Sequence, residues 1–114
     1  MDWNELLKVA ENEVAATVSE LPEPVRAVLR DVPVLIENRP DEDDVESGIE
    51  PDTLGFYDED AAGAVRIRLW IENIRDYAED SDHPFAEEVR VTLLHEIGHV
   101  LGWDEEDLDD RGLG

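Results

Sequence analysis

Apolar residues recur at helical spacing from the start of the chain. Trp3, Leu6, Leu7, Ala10, Val14, Val18 and Leu21 stand three or four apart, which predicts a helix over residues 3–20. Asp2, with Glu5 three residues on, suits its N-terminus, and Pro22 and Pro24 end the pattern. A short helix is expected from Pro24, with Val25, Val28 and Leu29 inward. "VPVLIEN" (32–38) is β-branched, bounded by Pro33 and Pro40, and predicts a strand. "LGFYDEDAAG" (54–63) predicts a short extended segment and a turn. "AVRIRLW" (64–70) is the clearest strand, because Val65, Ile67 and Leu69 alternate with Arg66, Arg68 and Trp70. That alternation puts the two arginines and Trp70 on an outward face. "IENIRDYA" (71–78) predicts a helical turn or two, with Ile71, Ile74 and Tyr77 or Ala78 inward. "EDSDHP" breaks it, and a last helix should run from about Phe85 to Leu101 and stop at Gly102.

Between these elements "RPDEDDVESGIEPDT" (39–53) reads as a loop. Seven of the twelve residues 41–52 are acidic, which leaves too little apolar content to pack. It is expected to be a solvated loop; the alternative is a mobile rim beside a functional site.

The last helix carries the chemistry. From Val91 to Leu101 the only polar side chains are Thr92, His95, Glu96 and His99. Apolar residues go nearly all the way round, the mark of a helix buried on most sides. Carboxylate and imidazole groups inside such a helix are costly unless satisfied. Positions 92, 95, 96 and 99 fall on one stripe of a 3.6-residue helix, where a bound cation would satisfy them. His95 and His99 lie one turn apart and can share one zinc ion, while Glu96, rotated by about 100°, would sit beside the metal as a general base. A two-histidine site needs a further ligand. Gly102 lets the chain leave the helix and bring "WDEED" towards the open side of the metal.

The full frame is H-E-x-x-H-x-x-G-x-x-E, ending at Glu105, ten residues after His95. Asp104 is the alternative third ligand, and the frame favours Glu105. The metzincin pattern H-E-x-x-H-x-x-G-x-x-H has the same spacing, so the stretch resembles the metzincin branch of the zincin metallopeptidases. "VTLLHEIGHVLGWDEEDL" is more closely similar to the small bacterial zincin-like metallopeptidases often called minimal zincins, as is the upstream "LGFYDEDAAGAVRIRLW". The resemblance covers roughly residues 20–110. It implies a compact α+β domain, with a small mixed sheet packed against an N-terminal helix and a C-terminal active-site helix. It further implies zinc at His95 and His99, a third ligand that is often Asp in the family, and a peptide or protein substrate. Two departures stand out: Glu105 occupies the third-ligand position, and the only methionine is Met1, so the Met-turn that metzincins place beneath the metal has no counterpart. In zincins an edge strand pairs with extended substrate. "AVRIRLW" is the candidate, unless it is an ordinary half-exposed strand whose arginines offset nearby acids. His83 is expected to be exposed at a helix start, and Trp103 to pack the helix end.

Composition narrows these readings. A length of 114 residues fits one domain, 1–114. There is no cysteine, so any metal must be held by His, Asp or Glu. No apolar run approaches a membrane span, and the acidic amphipathic start lacks the features of a signal peptide, which points to the cytoplasm. The formal charge is −23, from 32 acids against nine basic residues. Such a field repels phosphate backbones and anionic membranes, so neither nucleic acid nor membrane is an expected partner. The charge suits either an ordinary acidic surface or a salty cytoplasm, where screening relieves self-repulsion.

Three functions follow in order. The first is a zinc-dependent metallopeptidase in which Glu96 activates the water that attacks a peptide bond. The second is a zinc-binding interaction module without catalysis. The third is a metal-dependent RNA hydrolase, because "HEIGHVLGWDE" is similar in frame to the H-G-x-L-H-L-x-G-Y-D-H motif of bacterial rRNA-maturation endonucleases. Glu96 in place of that glycine, and the charge, oppose the third.

Overall fold

The chain enters its first helix through Asp2, whose carboxylate accepts the Glu5 N–H at 2.9 Å. A computed structural model describes residues 1–103. They form α1 (Trp3–Glu20), α2 (Glu23–Leu29), β1 (Val34–Glu37), α3 (Glu42–Glu46), β2 (Gly55–Glu59), β3 (Val65–Trp70), α4 (Ile71–Ser81) and α5 (Phe85–Val100). The architecture is α+β, with a three-stranded mixed sheet ordered β1-β3-β2. β3 pairs parallel with β1, Ile67 opposite Val34, and antiparallel with β2, Ile67 opposite Tyr57.

The alternation read in β3 divides the sheet. Ile67 and Leu69 are fully buried against the helices, where Leu6 and Ala10 of α1, Ile74 of α4 and Val89, Leu93 and Ile97 of α5 meet them in one core. These residues leave water at about 25 cal/mol for each Å² of apolar surface. α5 touches α1, α4, β2 and β3. Thr17 is also buried in α1, a polar position that the apolar pattern did not mark, with the Arg90 guanidinium 3.5 Å from its hydroxyl.

The other face of the sheet corrects the sequence expectation. Arg68 and Trp70 do not point into solvent: Arg68 is 7% exposed and Trp70 is fully buried. The Arg68 guanidinium donates to both oxygens of Asp44 at 2.7 Å, to Oε1 of Glu37 at 2.8 Å and to its Oε2 at 3.2 Å. Its Cζ lies 4.9 Å from the Trp70 ring centroid, and the indole N–H donates to Glu37 at 3.2 Å. The planar fork of arginine satisfies two carboxylates and an aromatic face at once, which a lysine ammonium cannot do. Of the two readings of this strand, the one in which the arginines offset nearby acids is the one seen. Arg66, half-exposed, pairs directly across with Asp58 at 2.7 Å.

Asp44 comes from the segment expected to be a solvated loop. It lies in α3, a short helix opened by a reciprocal capping box between Asp41 and Asp44. The acids that made the segment look unpackable are what dock it, because the sheet offers it a buried cation rather than an apolar surface. Further corrections follow from packing. Val28, at an inward-reading position, is exposed, and of the two alternatives Tyr77 and Ala78 it is Ala78 that is buried. α4 runs three residues beyond the expected end, to Ser81, before Asp82 turns the chain with φ 56°.

β3 is the central strand, so it cannot be the edge that receives a peptide. Among the described residues the edge next to α5 is β2. Trp70 N–H donates to the Leu54 carbonyl at 2.9 Å and Asp60 N–H to the Ala64 carbonyl at 3.0 Å. Even-numbered residues of β2 are therefore the hydrogen-bonded partners of β3, and Gly55, Tyr57 and Glu59 turn their backbone groups outward. Gly55 also sets how near β2 comes to α5. A Cβ there would lie 2.8 Å from Thr92 Cγ2 and 3.3 Å from Glu96 Cγ.

Two outcomes test this packing. The Arg68 guanidinium holds the Asp44 carboxyl below its ordinary 3.8, at about 2. A carboxylate whose pKa is lowered by folding contributes stability above its unfolded pKa, and loses it as pH falls through the folded value. Urea melts at a series of pH values should show Asp44→Asn destabilised by about 2 kcal/mol at pH 7, with the gap from wild type closing between about pH 4 and pH 2. Gly55→Ala should cost about 1–3 kcal/mol through overpacking, and adding Thr92→Ser, which removes the clashing methyl, should recover most of it in the same melts.

Candidate metal centre

α5 starts after Pro84, whose missing N–H is no loss at a helix start. Its end is a paired C-cap: Trp103 N–H donates to the Gly98 carbonyl at 2.9 Å and Gly102 N–H to the His99 carbonyl at 3.0 Å, with Gly102 at φ 78°. This is the Schellman arrangement, which requires a left-handed residue and so favours glycine. The helix stops one residue after His99, at Val100, and Trp103 packs half-buried beyond its end, as expected.

Along the helix Val89, Leu93 and Ile97 face the core, and Thr92, His95, Glu96 and His99 form the stripe that faces β2. Thr92 and Glu96 are buried; the two histidines are half-buried. The imidazole centroids of His95 and His99 are 4.6 Å apart, with the rings inclined at 78°. One ligating atom from each of His95, Glu96 and His99 lies within 4.8 Å of the others. Tyr57 of β2 stacks on His99 at 6.4 Å and 17°. Glu96 lies against Gly55, as the 3.3 Å approach shows. Strand and helix thus clamp the stripe from one side, and the spacing of four residues delivers both imidazoles to the same spot.

The donor set fits zinc. The imidazoles of His95 and His99 are nitrogen ligands that a small divalent cation of this kind takes without cysteine, and the Glu96 carboxylate lies beside them. A cavity of about 280 Å³ opens beside the cluster, lined by His95, Glu96, Thr92, Val91, Glu88, Gly55, Leu54 and Tyr77. Among the described residues no lysine or arginine lines it.

Of the residues singled out in the sequence, His95, Glu96 and His99 come together. Glu105 and its alternative Asp104 lie outside the described residues. His83 is exposed, as expected, but not idle: its Nδ1 lies 2.6 Å from Oε1 of Glu88, and that carboxylate raises the imidazole's pKa above the usual range. Three neighbours of the cluster were not singled out as site residues: Gly55, Tyr57 and Glu88. The "LGFY" turn was a signal for the first two. Glu88 continues the polar stripe at position −4 from Thr92, a signal that was there to be followed.

No curated protein matches the chain. The family model for zincin-like metallopeptidases matches residues 29–113, well over half of the 114 residues, and the match takes in the sheet, α4 and the whole of α5. The histidine pair, the glutamate between them and the edge strand laid across them stand within that match, and the chain belongs to the zincin-like metallopeptidase family.

Proposed function

We propose that the chain is a zinc-dependent peptidase in which His95, His99 and Glu105 hold the metal and Glu96 is the general base. The observation that carries this reading is the gathering of His95, Glu96 and His99 within 4.8 Å, beside β2, an edge strand among the described residues. Zinc held by such residues polarises a scissile carbonyl and lowers the pKa of water to about 7.

The chain's own residues supply the rest. The outward N–H and C=O groups of Gly55 and Tyr57 offer an extended peptide a strand to pair with. Pairing there lays the peptide across Glu96, because Gly55 itself rests on that side chain. Holding the scissile bond in this way supplies much of the rate by orientation. Glu96, buried and held between Gly55 and the histidines, takes the proton of the attacking water and passes it to the leaving amine. Tyr57 stacked on His99 fixes the ring's plane. Among the described residues no lysine or arginine lines the cavity, which favours a peptide over an RNA backbone as the chain bound there.

Elemental analysis should find one zinc per chain in the wild type and in Glu96→Gln, and markedly less in His95→Ala and His99→Ala. Glu105→Ala should weaken zinc binding and Asp104→Ala should not; the reverse result would reassign the third ligand. Glu96→Gln should cleave peptides roughly 10²–10⁴-fold more slowly, and a variant as fast as wild type would remove Glu96 from the mechanism. A peptide library left uncut by zinc-loaded wild type would replace the peptidase with a zinc-binding interaction module.

A further inference from the structure

The polar stripe of α5 continues one turn before Thr92, to Glu88. That residue is 6% exposed and lines the same cavity as His95 and Glu96. A largely buried carboxylate needs compensation, and His83 supplies part of it. His83 meets one oxygen, Oε1, at 2.6 Å; Oε2 accepts no hydrogen bond among the described residues. A carboxylate has acceptor sites for about four donors, so Glu88 is held in place with acceptor capacity to spare. The walls leading to it are Leu54, Val91 and Tyr77, with Tyr77 and Val91 both exposed. Among the described residues the cavity thus has apolar and aromatic sides, a buried carboxylate, and no lysine or arginine.

We propose that this cavity is a subsite for a cationic side chain of the substrate, arginine or lysine, with Glu88 as the residue that recognises it. The proposal rests on the peptidase reading of the adjacent cluster and names its substrate class. A peptide paired along β2 that continues past Gly55 runs over Leu54, at the cavity mouth. Leu54 and Val91 cover the methylene stem of such a side chain, the Tyr77 ring offers its face to the charge, and Glu88 accepts from the head group, bidentately in the case of arginine. Glu88 lies seven positions before His95, about 10 Å along the helix, so the cation is read at a distance from the bond to be cut. The charge of −23 draws cationic peptides in from solution but does not choose a position along them; one buried carboxylate does.

The test is equilibrium binding of capped alanine-based hexapeptides carrying one arginine, norleucine or glutamate, measured by NMR titration on the full chain, zinc-free and zinc-loaded. The zinc-free protein tests the subsite without turnover. Wild type should bind the arginine peptide about tenfold more tightly than the norleucine peptide, with shifts at the Tyr77 ring and Val91 methyls. Glu88→Gln should reduce that preference to less than about twofold, whereas Glu11→Gln, on the exposed face of α1, should leave it intact and so remove net charge as the cause. Equal binding of the arginine and norleucine peptides, absence of shifts at Tyr77 and Val91 in wild type, or an arginine preference that survives Glu88→Gln would overturn the proposal. The wild-type shifts decide the matter even if Glu88→Gln fails to fold. A chain that prefers arginine but cuts no peptide would count against the peptidase reading and not against the subsite.

Discussion

Everything about this domain turns on covering α5. The helix is apolar on most of its circumference, and its fully buried residues Val89, Leu93 and Ile97 have to be kept from water. α1, α4, β2 and β3 do so together. Because the polar groups from Thr92 to His99 lie on one stripe, the covering elements can enclose the rest and leave the two histidines half-buried. The site is the face of α5 that carries polar groups instead of apolar core, so stability and chemistry divide the helix between them by face.

The sheet obeys the same division with two different means. Its helix-facing side is held by apolar burial around Ile67 and Leu69. Its other side is held by the Arg68 guanidinium, enclosed by Asp44, Glu37 and Trp70. A chain with 32 acids and eight arginines has many carboxylates to repel one another, and placing one arginine under two of them converts part of that repulsion into a contact that docks α3. Such a buried pair contributes specificity as much as stability, because removing one partner leaves the other charged and buried. The side effect for function is that β3, anchored on both faces and both edges, is a rigid back for β2.

Gly55 links the two halves. With no side chain, it lets β2 approach α5 closely enough for Tyr57 to stack on His99 and for Glu96 to lie against the strand. The backbone groups that face outward at Gly55 and Tyr57 follow from the register with β3, not from any property of those residues themselves. The glycine therefore acts on the site through distance, and the register acts through direction.

Much of this was legible from periodicity. The bounds of α1, β3 and α5, the C-cap at Gly102, and the meeting of His95, Glu96 and His99 follow from spacings of two, three and four along one chain, because local geometry alone places those side chains relative to each other. What depended on partners distant in sequence was not legible. α3 was read as a solvated loop because its docking surface, Arg68, lies more than twenty residues away. Arg68 and Trp70 were read as outward because alternation says that two faces differ, not that the second is uncovered. β3 was a candidate edge strand because strand order is a property of the assembled sheet. Glu88 belongs to the polar stripe by sequence, but only the tertiary structure, by bringing Leu54, Tyr77 and Val91 around it, put a buried carboxylate beside the cluster of His95, Glu96 and His99. Sequence determines which groups share a face; long-range packing decides what that face meets.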